Sequence, residues 1–580
     1  MNKKQRIKKV LGFLFILTGF QSVLFAQSGI ITSQLGYDTD APKQAFLRGD
    51  KASTFADKAV FQVTDLNNNP IHKAKLKKQG EKWKAHWWVA DFSAIKKSGR
   101  YLLKVDGSGK QWVSDTIEVA DNPLWQKCYP VMAFDFFDTR TEKTRTGKGW
   151  RDSGSDLQEF SSHVVAIDGL CDVLEIADIS KADKSKILKH IVHGTDFLTY
   201  LQDKADSLQL GYGTVIHEDR QTDVVTGNVA KAAMIFARVS RLIKPQTSSK
   251  SEDYLERAKR AFQWIEKNGP VINEEEQLFF APVHGAPKGS LPPQQQWMTR
   301  DLLMMVRASV ELFKAEEEDY KDKAIHYAQK VMARQVPKSK KEGSYYGHFY
   351  TYGTYEQWNG YPFTEKANIH CGAWSHQGRI YNKGGHYPHY LLPFIDMMRL
   401  WPKHKDTKHW QKTLKNFAYG YLLPTTSQSP FYILPSGYYK DEGLIFFGSW
   451  YHGHNNMYAY TASMALEYEK LFKDTRFRKI AYGNLQWIAG LNYGIKEQET
   501  VVGISMISGI GARFRGSWTN IPGSICNGFS SSPQFKIELV SAATDYPKSF
   551  DTEDYIAHTL PYLAALARWE HLQHSNIEER

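Results

Sequence analysis

Two acidic clusters have the residue types and spacing for chemistry. The first is Gly149-Trp150-Arg151-Asp152-Ser153-Gly154-Ser155-Asp156, directly ahead of a helical pattern. The second is Phe550-Asp551-Thr552-Glu553-Asp554-Tyr555, which opens the last apolar helix. Each alone has an ordinary explanation. Ser and Asp cap helix N-termini, and Glu553 would complement a helix dipole. Taken together they supply what cleavage of a glycosidic bond needs: one carboxylate to activate water, and a second, protonated carboxyl to donate to the leaving oxygen.

Two other segments carry rings and hydrogen-bonding groups. One runs Cys371-Gly372-Ala373-Trp374-Ser375-His376-Gln377-Gly378-Arg379, and the other Trp450-Tyr451-His452-Gly453-His454-Asn455-Asn456. Sugar stacking on Trp374 or Trp450, with His376 and His454 bonding hydroxyls, fits them, and so does packing. His452 and His454 lie close together, but no H-E-x-x-H pattern accompanies them. No metal site and no cofactor are expected. Neither a nucleotide-binding glycine loop nor a G-x-S-x-G elbow stands out.

These residues need a scaffold, and the chain is long enough for two domains. Residues 1–27 read as a signal peptide: Lys3, Lys4, Arg6, Lys8 and Lys9 precede an apolar stretch from Val10 to Phe25, and Ala26 suits a cleavage site. The mature chain is then expected to be exported, periplasmic or secreted, without a stable membrane anchor. Those five residues account for +5 of the formal charge of +12. The remaining positive residues are dispersed among Asp and Glu, so no nucleic-acid partner is expected. Cys128, Cys171, Cys371 and Cys526 form no C-x-x-C pair. They read as buried thiols, because a core of this size needs no staples.

Residues 28–120 show short apolar runs at about ten-residue spacing, broken by turn clusters such as Asn67-Asn68-Asn69-Pro70. This pattern predicts an all-β immunoglobulin-like sandwich. From 124 to 575 the period becomes helical, with Ile187, Ile191, Leu198 and Leu201 as one example. Twelve helices are expected, near 125–138, 161–180, 185–204, 226–243, 252–268, 297–315, 319–334, 386–401, 409–421, 454–473, 475–490 and 554–573. Twelve helices with long loops match six hairpins closed into an all-α (α/α)6 toroid. The loops at 205–225, 335–385, 422–453 and 491–553 are expected to build the functional face.

Over nearly the whole mature chain the sequence resembles glycoside hydrolase family 9, in the form with an N-terminal immunoglobulin-like domain. Gln34-Leu35-Gly36-Tyr37 with Ala41-Pro42-Lys43, Asp91-Phe92-Ser93, and Gly99-Arg100-Tyr101 with Val105-Asp106-Gly107 resemble the sandwich domain. Gly149-Trp150-Arg151-Asp152 through Asp156 resembles the G-W-Y-D-A-G-D motif. Ala489-Gly490-Leu491-Asn492-Tyr493-Gly494 resembles G-x-N-P-x-G, and Thr552-Glu553-Asp554-Tyr555-Ile556 resembles the terminal N-E-x-x-I helix. The resemblance implies Glu553 as general acid, Asp156 as the base, and Asp152 as the residue that positions the water. Trp150, within the motif, joins the expected substrate contacts. The implied reaction is inverting hydrolysis of a β-linked polysaccharide or oligosaccharide.

Two departures bear on that inference. The first motif reads D-S-G-S-D, one residue longer than D-A-G-D, so the base falls on either Asp152 or Asp156. The family's His-rich segment is replaced by Gly511-Ala512-Arg513-Phe514-Arg515-Gly516-Ser517-Trp518. Arg513 and Arg515 have the geometry to bind a carboxylate or sulfate. A polysaccharide lyase using Tyr451, His452, His454, Asn455 and these arginines is therefore an alternative, and a non-catalytic glycan-binding protein is another.

Overall fold

The computed structural model describes residues 29–269 (except 84, 154–155, 221, 223 and 225), 297, 299–340, 344–349, 391–435, 455–493, 505–510, 521–529 and 553–578, with short strand pairs within 374–381, 437–446 and 495–502. The expected signal peptide lies outside the described residues.

The first part is a two-sheet sandwich. Its strands are β1 (Ile30–Ile31), β2 (Tyr37–Asp38), β3 (Gln44–Gly49), β4 (Val60–Asp65), β5 (Pro70–Lys75), β6 (Lys77–Lys82), β7 (Ala85–Asp91), β8 (Gly99–Gly107), β9 (Lys110–Val113) and β10 (Ile117–Ala120). One sheet has the order β1-β3-β7-β6, and the other β2-β10-β8-β4-β5 with β9 on β8. Strand β8 turns Tyr101, Leu103 and Val105 inward on alternate positions, as the two-residue side-chain period requires. The Asn cluster makes the β4–β5 turn: Asp65 Oδ1 accepts the Asn67 and Asn69 N–H groups at 2.9 and 2.8 Å.

The second part contains twelve α-helical stretches among the described residues, as the helical period predicts. The chain enters through α1 (Pro123–Pro130), a π turn (Val131–Asp135) and α2 (Phe136–Thr141), which form one stretch. Six inner helices follow: α3 (Phe160–Ile176), α5 (Thr226–Ile243), α7 (Thr299–Lys314), α9 (Leu392–Leu400), α11 (Asn455–Phe472) and α13 (Ile556–Glu578). Between them run α4 (Lys181–Ser207), α6 (Ser248–Asn268), α8 (Tyr320–Met332), α10 (Thr407–Phe417) and α12 (Arg476–Ile488). Helix α13 packs on α3, α3 on α5, α5 on α7, α7 on α9, and α11 on α13. Arg399 of α9 reaches Glu467 of α11 at 3.2 Å, completing the circle.

Inner and outer helices differ as the geometry demands. Helix α5 is buried on nearly every side. Helix α6 buries only Ser251, Tyr254, Ala258, Ala261, Phe262 and Ile265, one stripe at three- and four-residue steps. Several boundaries shift by two to six residues from the sequence-based expectation, two of them for a visible reason. The helix expected from 386 begins at Leu392, where Pro393 occupies the first turn. The last helix begins at Ile556, because Asp554 is still bridged to Cys526 as extended chain.

Buried charges tie the inner ring together. Arg238 of α5 binds Asp168 and Glu175 of α3, and Asp172 at 2.6 Å. Arg307 of α7 binds Asp168 at 2.6 Å, and Arg241 bridges Glu175 and Glu311 at 2.8 and 3.2 Å. Lys314 reaches Asp396 of α9 at 2.8 Å. Arg568 of α13 binds Asp172 at 2.8 Å and Glu467 at 3.7 Å. Every inner helix therefore contributes to one belt.

The sandwich is clamped to the toroid by the segment around 489–493. Gln34 N–H donates to the Ala489 carbonyl at 2.9 Å, and Arg48 donates to the Tyr493 hydroxyl at 3.0 Å while lying over its ring. Trp83 stacks on Phe431, and the Trp569 indole N–H reaches Asp38 Oδ2 at 3.3 Å. Cys128, Cys171 and Cys526 are buried free thiols. Cys371 lies outside the described residues.

Candidate active site

Both acidic clusters lie just ahead of the N-termini of adjacent inner helices, the first before α3 and the second before α13. One buried residue holds them together. Arg140, from α2, has no exposed surface. Its Nη1 donates to the carbonyls of Arg151 and Asp152 at 2.7 and 2.8 Å. Its Nη2 donates to Ser524 Oγ at 2.9 Å and to the Asp554 carbonyl at 3.2 Å. Burial lowers its pKa to about 10, against the pull of Asp554 and Asp152, so it stays charged at neutral pH. A direct bond from the Ile556 N–H to the Asp152 carbonyl, 2.8 Å, locks the two segments.

The first loop is bent onto itself. Asp152 N–H donates to the Leu157 carbonyl at 2.8 Å, and Asp152 Oδ2 accepts the Glu159 N–H at 2.6 Å. Gly149 has φ +60, and a Cβ there would sit 2.7 Å from His163 Nε2, so the close approach requires glycine. That nitrogen accepts the Trp150 N–H at 3.0 Å, which leaves Nδ1–H to donate to the Glu159 carbonyl at 2.7 Å. Burial lowers the His163 pKa to about 3, keeping it neutral in this tautomer. Asp152 is fully buried. Desolvation and the neighbouring Glu159 charge hold its carboxyl well above the usual range.

Glu553 is half-buried and lies opposite. Desolvation raises its pKa to about 7; the Glu159 and Asp554 charges add to the rise, while a hydrogen bond from Asn527 opposes it. Asn527 Nδ2 donates to Glu553 Oε2 at 3.0 Å, and its main-chain N–H donates to the Glu553 carbonyl at 2.8 Å. The orientation of that amide is fixed from behind. The Asn456 N–H donates to His558 Nδ1 at 3.0 Å, so Nε2–H faces Asn527 Oδ1 at 2.6 Å, and the amide NH2 must point at Glu553. Gly528, with φ +93, leaves room for Asn455, which a Cβ would meet at 2.6 Å.

Asp156 occupies the outer edge of the first loop, its side chain 48% exposed. Arg220 binds it at 2.6 Å and Arg145 at 3.4 Å. Slight desolvation is outweighed by those two charges, and its carboxyl lies below the usual range. Trp150 is fully buried against Phe137 and His163, where it packs the floor of the loop. Trp374 and His376 fall in the strand pair Trp374–His376 with Arg379–Tyr381; their side chains, with Trp450, His454, Arg513 and Arg515, lie outside the described residues. The sequence-based reading singled out Asp152, Asp156 and Glu553, quoted Tyr555 in the second cluster without a role, and left out Glu159, Asn527, His558 and Arg140. Tyr555 and His558 sit two and five residues beyond Glu553, a spacing that signals shared placement. Nothing local marks Arg140 or Asn527.

The comparisons agree with this architecture. Residues 26–110 match the model of the cellulase N-terminal ig-like domain, and residues 134–515 that of glycosyl hydrolase family 9. A cellodextrinase of Butyrivibrio fibrisolvens is 22% identical over 303 residues, which is 44% of this chain and 53% of that protein. The chain thus spans about half the length of this curated relative. Among solved structures, a metagenome-derived glycoside hydrolase family 9 endoglucanase superimposes with TM-score 0.62 at 15% identity, covering 93% of this chain and 98% of the other. A family 9 protein of Bacteroides ovatus gives 0.61 at 16% identity, covering 94% and 99%. AaCel9A in complex with cellobiose-like isofagomine gives 0.59 at 13%, covering 93% and 99%. These structural likenesses establish the fold, a β-sandwich followed by an (α/α)6 toroid, and the family model covers most of the chain. The protein belongs to glycosyl hydrolase family 9.

Proposed function

We propose that the protein is exported and hydrolyses β-linked glucan chains, cello-oligosaccharides above all, with inversion at the anomeric carbon. The observation that carries this reading is Glu553, a carboxyl with a pKa near 7, aimed by Asn527 and facing the carboxylates of the 152–159 loop. A general acid works best when its pKa matches the operating pH. Glu553 holds its proton up to about neutrality and delivers it to the leaving glycosidic oxygen. Water activation falls to a carboxylate across the cleft, which in inverting enzymes stands roughly 6.5–9.5 Å from the acid to admit the water. Asp152 is fully buried and fixes the loop; Asp156 is ionised but held by two arginines. The substrate class is supported by the cellodextrinase relative and by the cellobiose-like ligand of a structural neighbour.

The test is wild type beside Glu553→Gln on cellotetraose, carboxymethylcellulose and a uronate polymer. Reducing ends, ultraviolet absorbance and the anomer first released would be followed together. An α-anomer with no absorbance change, lost in the variant, is the expected result. An unsaturated uronate product would identify a lyase instead. Identical behaviour of the two proteins would remove Glu553 from the chemistry.

A further inference from the structure

Glu159 is a third carboxylate of the site, and neither acidic cluster in the sequence contains it. It ends the 152–159 loop and is the residue just before α3. Its main-chain N–H is spent on Asp152 Oδ2 and its carbonyl on His163, so its backbone is fixed at both ends. Its carboxylate is addressed from two sides. The Tyr555 hydroxyl donates to Oε2. His217 Nε2 lies 3.3 Å from Oε1. Burial and the Glu159 and Asp152 charges hold the Tyr555 hydroxyl protonated, so it remains a donor and Glu159 an acceptor.

Three comparisons within the site single this residue out. Glu159 meets Tyr555, two residues beyond Glu553, and its charge raises both Asp152 and Glu553. Its side chain is 21% exposed, whereas Asp152 has no exposed surface for a water to reach. Asp156 is open to solvent, but its Oδ2 faces both Arg220 and Arg145, and a carboxylate stabilised in its charged form by two arginines is a weak proton acceptor.

Resting on the hydrolase reading above, we propose that Glu159, rather than Asp156 or Asp152, is the general base of this enzyme. Water lies between Glu159 and the anomeric carbon. Its oxygen forms the new C1–O bond while one of its protons passes to the Glu159 carboxylate. The glycosidic C1–O bond breaks, its electron pair goes to the leaving oxygen, and Glu553 protonates that oxygen. Asp152 acts as a positioning residue, its Oδ2 holding the Glu159 main chain. Tyr555 and His217 orient the carboxylate so that one lone pair faces the water.

The experiment separates acid from base with two substrates. On 2,4-dinitrophenyl β-cellobioside, whose leaving group needs no proton, Glu553→Gln should keep most of its rate. Glu159→Ala should lose about 10²–10⁴-fold on both this substrate and cellotetraose. Added azide should restore Glu159→Ala on the activated substrate, with α-cellobiosyl azide as product. Glu159→Asp, with its carboxylate drawn back, should keep the acidic limb of the pH profile while turning over more slowly. Asp156→Asn should stay within about tenfold of wild type. Unchanged melting curves and cellotetraose binding would exclude a folding defect. Azide rescue of Asp156→Ala instead, or a Glu159→Ala enzyme within tenfold of wild type, would overturn the assignment while leaving the hydrolase reading intact. A wild-type protein that cleaves neither substrate would remove that reading, and this inference with it.

Discussion

The two ends of the helical barrel use the same side chains to opposite purposes. From the middle of the inner helices onward, Asp168, Asp172, Glu175, Glu311 and Glu467 face Arg238, Arg241, Arg307, Lys314 and Arg568. At the N-terminal ends, Asp152, Glu553 and Asp554 gather around the buried Arg140, with Glu159 next to Asp152. Burial raises a carboxyl in both places, but the outcome depends on what faces it. Glu311 is pulled down to about 2 by Lys314, Arg238 and Arg241 despite being buried, whereas Glu553 is pushed up to about 7 by burial and like charges. A carboxylate held low is committed to holding helices together. One held near neutrality is available to give and take a proton.

The largest effect should come from the reactive end. Glu553→Gln should lower kcat on cellotetraose by about 10²–10⁴-fold, with binding by calorimetry kept. A loss of binding equal to the loss of rate would break the contrast, because Glu553 would then be holding substrate. The counterpart at the belt is Arg238→Met, which leaves Asp168, Asp172 and Glu175 short of a buried partner. It should cost about 3–5 kcal/mol of stability, read as a lower urea midpoint with the slope retained. At temperatures where it is folded, its kcat should stay within a few-fold of wild type.

Acid and base should separate the two ends again. Glu311 titrates near 2 folded against 4.5 when exposed. Its contribution is complete above about 4.5 and is lost as pH falls toward 2, so Glu311→Gln should flatten that part of the stability profile. Glu553 has the opposite sign. Its folded pKa lies above the unfolded one, so its contribution is present below about 4.5 and is lost as pH rises through 7. Glu553→Gln should therefore gain stability relative to wild type at pH 8 compared with pH 5, in urea melts at both. The wild-type kcat should decline above about pH 7, and Asn527→Ala, which removes a hydrogen bond that lowers the Glu553 pKa, should move that decline upward. The smallest effect belongs to the exposed pair Lys78–Asp57 on the sandwich, 3.1 Å apart. Lys78→Ala should change stability by no more than about 1 kcal/mol.

The parts legible from sequence were those with a local signature. The twelve helices follow from spacing along single segments, and the sandwich from strand and turn chemistry such as Asp65 with its three asparagines. Glu553 and Asp152 were marked by resemblance and by their place before helices. The belt was not legible, because its charges read as dispersed Lys, Arg, Asp and Glu; Arg238 and Asp168 meet only when helices 70 residues apart are packed side by side. Glu159 was hidden for a related reason. It follows the motif at a distance that looks like ordinary helix-entry polarity, and its neighbours Tyr555 and His217 arrive from elsewhere in the chain.

Helix α13 has a consequence for the order in which the molecule becomes active. It carries Arg568 of the belt and Trp569 against the sandwich, and Glu553 immediately precedes it. Tyr555 and Glu159, which meet in the site, are separated by 396 residues of chain. During synthesis the first loop therefore emerges long before its counterpart, and no early folding intermediate can hold both halves. Helix α13 closes the ring against α3 and α11, touches the sandwich through Trp569, and fixes the segment that carries Glu553. The two halves of the site therefore come together only when α13 packs on α3.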